Sequence, residues 1–141
     1  MLSSIFAEVG VAAMYGLVGL VLMALGFLLV DVLTPGNLRE QIWLQRNRNA
    51  ALLLTSNLLG VGIIVSTAIA ASSGALLAGL VSTVAYGVLG LALMGLSFLV
   101  IDAVTPGRLG ALLMDDTPHP AAWVSGAAHL SVSAIVALAI F

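Results

Sequence analysis

Cysteine and lysine are absent from this 141-residue chain, and only 7% of its residues are charged. Without cysteine there are no disulfides, no thiolate metal sites and no palmitoylation. Without lysine, neither a Walker-type phosphate contact nor a Schiff base has a candidate residue. Four arginines against six acids give a net charge of −2, which leaves no electrostatic footprint for nucleic acid. A water-facing domain normally carries roughly 25% charged residues. Here 62% of residues are hydrophobic and the mean hydropathy is +1.23. Such a surface in water would be one large apolar patch. Lipid is the solvent that suits it.

What the chain does have is four long apolar runs. They span about residues 11–31, 50–71, 75–101 and 121–141; Asp31 closes the first, the second and third are uncharged, and the fourth carries only His129. Each reaches the roughly 20 residues that a helix needs to cross about 30 Å of hydrocarbon. The expected fold is therefore an all-α membrane protein with four transmembrane helices. Met1-Leu2-Ser3-Ser4 has no basic segment, and no small-residue cleavage pattern precedes Asp31. The first run is thus expected to be a retained span, not a removed signal peptide.

Shifting the sequence by 71 positions places Tyr15-Gly16 on Tyr86-Gly87, Met23 on Met94, Phe27 on Phe98 and Asp31 on Asp102. Thr34-Pro35-Gly36 falls on Thr105-Pro106-Gly107 with no gap. Agreement in polar and helix-breaking residues points to two tandem helix-hairpin units, residues 1–72 and 73–141. A two-span unit returns to its starting side, so both copies share one orientation, unlike inverted transporter repeats. Arg39, Arg46 and Arg48 lie in the first polar loop and Arg108 in the second, whereas Ser72-Ser73-Gly74 is uncharged. The positive-inside rule puts these loops in the cytoplasm and both termini outside it.

Thr34-Pro35 reads as a fresh helix start, with a threonine cap and proline in the first turn. Leu38, Ile42, Trp43 and Leu44, interleaved with charges, suit a short helix at the headgroup boundary. Pro120 is expected to open the fourth span, and Asp115 and Asp116 to be solvated.

Asp31 and Asp102 each precede a Thr-Pro-Gly by about one turn. A carboxylate at a helix C-terminus is disfavoured by the dipole and needs a partner. The threonine hydroxyl, the amides opening the loop helix and a loop arginine are the options. Either each aspartate ties its loop to its helix, or the pair lines a cation or proton route. The first reading carries more weight, because acids at a membrane boundary are usually solvated or paired. His129, about two turns into its span, is an intramembrane ionisable group and so a functional candidate. The simpler expectation is a neutral imidazole bonded to a backbone carbonyl or serine. Asn57 is expected to donate a hydrogen bond between helices, and Gly16, Gly19, Gly26, Gly87, Gly90 and Ser97 to form a packing face. No metal, cofactor or catalytic motif is present.

The motif Asp-x-x-Thr-Pro-Gly-x-Leu at 31–38 and 102–109, with Asn49-Ala50-Ala51, resembles the YjfL-like small bacterial inner-membrane proteins, a family of unknown function (number 350). The resemblance covers nearly the whole chain. Pro120 stands where a second copy of Asn49 would fall. The resemblance implies a bacterial inner-membrane location, four spans and a setting in envelope stress or membrane modification, since members occur beside polyamine-synthase-like, ATP-grasp-like and phage-shock-like proteins. The expected function is an oligomeric membrane assembly or anchoring component, without enzymatic activity, that meets a cytoplasmic protein through its polar loops. The alternative is an oligomeric cation, proton or polyamine pathway using the aspartates.

Overall fold

The computed structural model describes residues 1–141 and contains six helices: α1 (Leu2–Leu33), α2 (Leu38–Trp43), α3 (Arg48–Ala71), α4 (Leu76–Val104), α5 (Leu109–Leu113) and α6 (Pro120–Ile140). Four of them, α1, α3, α4 and α6, are long and apolar enough to cross a membrane. Every backbone amide of a spanning segment must bond within the protein, and a helix achieves this locally. The chain is a multi-pass membrane protein.

The four spans form a diamond in cross-section. α3 packs most extensively on α6, and both α3 and α4 touch each of the other spans, while α1 and α6 share no substantial contact. Two apolar layers fill the interior. One, around Val30, Leu38, Leu53, Phe98, Leu109 and Leu113, lies under the loop helices. The other, around Leu22, Val61, Ile64, Leu91, Met94 and Val136, lies deeper in the bundle.

Close helix approach depends on a few glycines. A β-carbon at Gly60 would collide with Ser133 of α6 and stand 2.8 Å from Met94 Cε; one at Gly90 would meet Ile64, and one at Gly87 would meet Leu22. The expected packing face therefore holds for Gly26, Gly87 and Gly90, but not for Gly16, which meets nothing within 4 Å.

Two boundaries differ from the sequence reading. α1 is 32 residues long, beginning at Leu2 instead of near residue 11. At about 1.5 Å per residue it measures about 48 Å, longer than the hydrocarbon. Tyr15 Oη lies 3.2 Å from Ser72 Oγ at the α3–α4 turn, so residues 2–14 run on past the end of their own bundle. Only Glu8 is charged there, and nothing in that stretch breaks a helix. Second, Thr34 does not start a helix. It closes α1, its hydroxyl donating back to the Val30 carbonyl at 2.8 Å, and Asn37 caps α2 instead. Pro35 and Gly36 form the intervening turn, with Gly36 at φ +84°. A left-handed residue suits glycine and would interrupt any helix begun at Pro35.

Gly60→Val is expected to cost about 1–3 kcal/mol by overpacking the α3–α6 contact. Gly62→Val, where nothing lies within 4 Å, should cost much less. Thermal unfolding in detergent compares them, and equal loss would refute the packing account.

Candidate functional site

Polar side chains gather in two places: a cap over the loop end of the bundle and a small group inside it. The cap is built on one local device, used in both loops. Asp31 Oδ1 accepts from the Leu38 amide at 2.9 Å, and Asp102 Oδ1 accepts from the Leu109 amide at 2.7 Å. Those amides open α2 and α5 and have no partner within their own helices. Of the three partners open to each aspartate, the structure selects the loop-helix amide. The threonines turn the other way, Thr34 to Val30 and Thr105 to Ile101, at 2.8 and 2.7 Å. Gly36 and Gly107 adopt φ of +84° and +90°, which reverses the chain and brings each leucine amide back to its carboxylate. Leu38 and Leu109, drawn inward, are fully buried. Helix, turn and loop helix are thereby fixed as one piece.

Asparagines tie the two loops together. Asn47 caps α3, its side chain accepting from the Asn49 and Ala50 amides at 2.9 and 3.1 Å. Asn49 crosses to the other loop: its Nδ2 donates to the Thr117 carbonyl at 2.9 Å, and its Oδ1 accepts from the His119 amide at 3.0 Å. His119 in turn caps α6 through Nδ1, which accepts from the Ala121 amide at 3.0 Å. Gly110 rests on the first loop, where a β-carbon would come within 2.9 Å of Pro35 Cδ and 3.3 Å of the Leu33 carbonyl. The two polar loops thus lie side by side at one end of the bundle. Arg39, Arg46, Arg48 and Arg108 are all exposed there, as are Asp115 and Asp116.

The role of Asn47 and Asn49 escaped the sequence reading. The usable signal was an asparagine just before an apolar run, a common helix cap. The long-range half of Asn49's bonding had no sequence signal, because the position 71 residues on is Pro120.

Inside the bundle, Asn57 is fully buried and its Nδ2 donates to Met94 Sδ at 3.3 Å, the expected interhelical bond. Its Oδ1 has no partner and fills the space left by the missing side chain of Gly26. His129 is 1% exposed. Its ring lies near the Leu53 carbonyl, which already accepts from Ser56 Oγ at 2.8 Å, but neither ring nitrogen makes a hydrogen bond. Ser133 Oγ bonds to the His129 backbone carbonyl, not to the ring. Ser125, one turn earlier on α6 and not singled out from sequence, also has an unpaired hydroxyl. Leaving such groups unpaired away from water costs about 1–3 kcal/mol each. Asp31 and Asp102 are not part of this group. No three metal-ligating side chains come close enough together to hold an ion.

Asp31→Ala and Asp102→Ala should each destabilise by about 1 kcal/mol, the usual worth of a helix cap, and speed proteolysis of their own loop. Asp→Asn keeps an acceptor oxygen and should cost less. Asn49→Ala should loosen the Asp115–His119 segment specifically. Protease-accessible sites mapped by mass spectrometry would decide, and unchanged cleavage in all variants would remove these bonds from the account.

Comparison with known proteins agrees with this architecture. The chain is 33% identical over 139 residues to a UPF0719 transmembrane protein of Mycobacterium bovis, covering 99% of this chain and 91% of the relative. It is 31% identical over 127 residues to a UPF0719 transmembrane protein of Mycolicibacterium paratuberculosis, covering 90% and 84%. No solved structure matches it. Residues 3–140 match the family described as Domain of Unknown Function (DUF350), and the chain belongs to that family.

Proposed function

We propose that this protein is an oligomeric assembly and anchoring component of a bacterial inner membrane, acting in envelope homeostasis without catalysis of its own. Its two polar loops face the cytoplasm and hold a protein partner there, and both termini face outward. The observation that carries this reading is the bonded cap. Ordering a loop residue costs about 1–2 kcal/mol of backbone entropy. Here a carboxylate ties each loop to its own span and asparagines join the two loops, while the arginines and Asp115 and Asp116 stand exposed. A rigid charged surface at one end, with only the uncharged Ser72–Ala75 between α3 and α4 at the other, suits recognition on one side of the membrane.

Self-association has separate support. Leu2, Ile5, Phe6 and Val9 are exposed on the part of α1 that overshoots its own bundle. Gly10 and Gly16 on the same helix meet nothing within 4 Å. Each leaves a gap on the surface of α1 where a neighbouring helix can approach closely.

A second reading, an oligomeric cation, proton or polyamine pathway, is favoured by the unpaired atoms of Asn57, His129 and Ser125 within the bundle. In that reading Asp31 and Asp102 would stand at its cytoplasmic mouth, each with one oxygen already committed to a loop amide.

The absence of cysteine makes labelling direct. Single cysteines at Glu40 and Ala111 should react from the cytoplasmic side and one at Ser73 from the other. Photo-crosslinking at Glu40 and Ala111 in cells should capture a protein partner that Ser73 does not. In proteoliposomes, the anchoring reading expects no cation or polyamine flux. Flux that falls several-fold in Asp31→Asn/Asp102→Asn would replace it with the pathway reading. Light scattering should show an oligomer that Ile5→Ser/Phe6→Ser/Val9→Ser dissociates, and a monomeric wild type would rule out self-association.

A further inference from the structure

A cleft of about 560 Å³ opens between the end of α1 and α2, lined by Phe27, Asn37, Arg39, Glu40, Trp43 and Leu44. Phe27 lies one turn inside Asp31, so the floor is at the edge of the hydrocarbon while the charges stand at headgroup level. Phe27 and Trp43 form that floor, their ring centroids 6.5 Å apart and tilted by 50°. Trp43 and Leu44 are nevertheless 62% and 77% exposed, so the loop's own packing does not account for them. The exposed Glu40 carboxylate makes no hydrogen bond or ion pair within the protein, and it lines the same cleft as the exposed Arg39.

The second loop serves as an internal control. α5 is held by the same aspartate-to-amide bond as α2 and buries the matching leucine. Yet 71 residues on from Arg39, Glu40 and Trp43 stand Gly110, Ala111 and Met114. A loop helix of this build forms without the arginine, the glutamate or the tryptophan. The fold does not require them, and their convergence on one cleft needs another reason.

We propose that this cleft is a binding site for a membrane phospholipid with a phosphoethanolamine headgroup. Arg39 binds the phosphate, which suits the planar guanidinium fork. Glu40 binds the primary ammonium, which in this headgroup is two methylenes away, within reach of neighbouring long side chains. The glycerol and upper acyl segments lie on Phe27, Trp43 and Leu44, at the depth where aromatic residues meet the interface. One positive and one negative group in the same cleft select this headgroup over an anionic one, for which Glu40 is repulsive. They also select it over a quaternary one, which cannot donate a hydrogen bond to a carboxylate. The site does not depend on the anchoring reading, since it requires no protein partner.

The test is native mass spectrometry of the full chain with equimolar phosphatidylethanolamine, phosphatidylcholine and phosphatidylglycerol of identical acyl chains. Wild type should retain phosphatidylethanolamine roughly fivefold over either competitor, the scale of a partly exposed charge pair. Arg39→Gln should abolish the preference, Glu40→Gln should shift it toward phosphatidylglycerol, and Trp43→Ala should lower retention of all three lipids. Arg108→Gln should leave selectivity unchanged. All four positions are exposed, and matched unfolding temperatures confirm that the variants fold. Equal retention of the three lipids by wild type, a wild-type preference for phosphatidylglycerol, or a preference that survives both Arg39→Gln and Glu40→Gln would overturn the assignment.

Discussion

A spanning helix that ends at the membrane boundary leaves unpaired carbonyls, and a helix that begins there leaves unpaired amides, where water is only partly available. The Thr34 and Thr105 hydroxyls donate to carbonyls of the ending helices. The chain meets the amide half of this constraint with one carboxylate per loop, positioned seven residues before the amide it serves. The long separation is possible because a glycine in the left-handed region folds the chain back between them. Because the turn is fixed, Leu38 and Leu109 enter the core as plugs beneath the loop helices. Because both plugs are seated, Gly110 can lie on Pro35 and Asn49 can reach across to Thr117 and His119.

This ordering bears on how the aspartates are understood. A carboxylate at a helix C-terminus opposes the helix dipole, which alone would make it a liability. Here it also sits at the N-terminus of the next helix, where the dipole favours it. The two fields act on the same group in opposite senses, and a direct charge-assisted bond decides the balance. A location that looks unfavourable along the first helix is thus favourable once the loop helix is in place.

The spans were legible because lipid imposes a length and a composition that few other environments demand. The aspartate's need for a partner was legible too, but the choice among threonine, amide and arginine was not, since it depends on where Gly36 aims the chain. The threonine was misassigned for a related reason. As a residue before proline it reads equally well as the end of one helix or the cap of another. Asn49's crossing to the second loop lay beyond reach because nothing local marks a contact between residues about 70 apart. For His129 the sequence indicated burial in a span but not that its neighbours would leave both ring nitrogens unpaired. That outcome depends on the Ser56 and Ser133 hydroxyls turning to backbone carbonyls, which serines in helices readily do.

The differences between the halves are as informative as their likenesses. What the two loops share, an aspartate, a Thr-Pro-Gly turn and a leucine, is what the local geometry uses. What they do not share falls on exposed or inter-loop positions: Arg39, Glu40 and Trp43 in the first loop, and the Asp115–His119 segment gripped by Asn49 in the second. The spans diverge similarly. Gly87 accommodates Leu22 whereas Gly16 faces open space, and α3 touches α4 whereas α6 barely approaches α1. Two hairpins packed with full twofold symmetry would treat α1 and α4 alike. Here α4 touches all three other spans, α3 is the most buried of the four, and α1, the least buried, keeps one side and its N-terminal end uncovered. A monomer of this shape has one flank that its own chain leaves unfilled, and the Phe27–Trp43 cleft lies at the loop end of that same helix. The exposed flank of α1 is therefore where a neighbouring molecule would pack, with α3, the most buried span, as the strut of the bundle behind it.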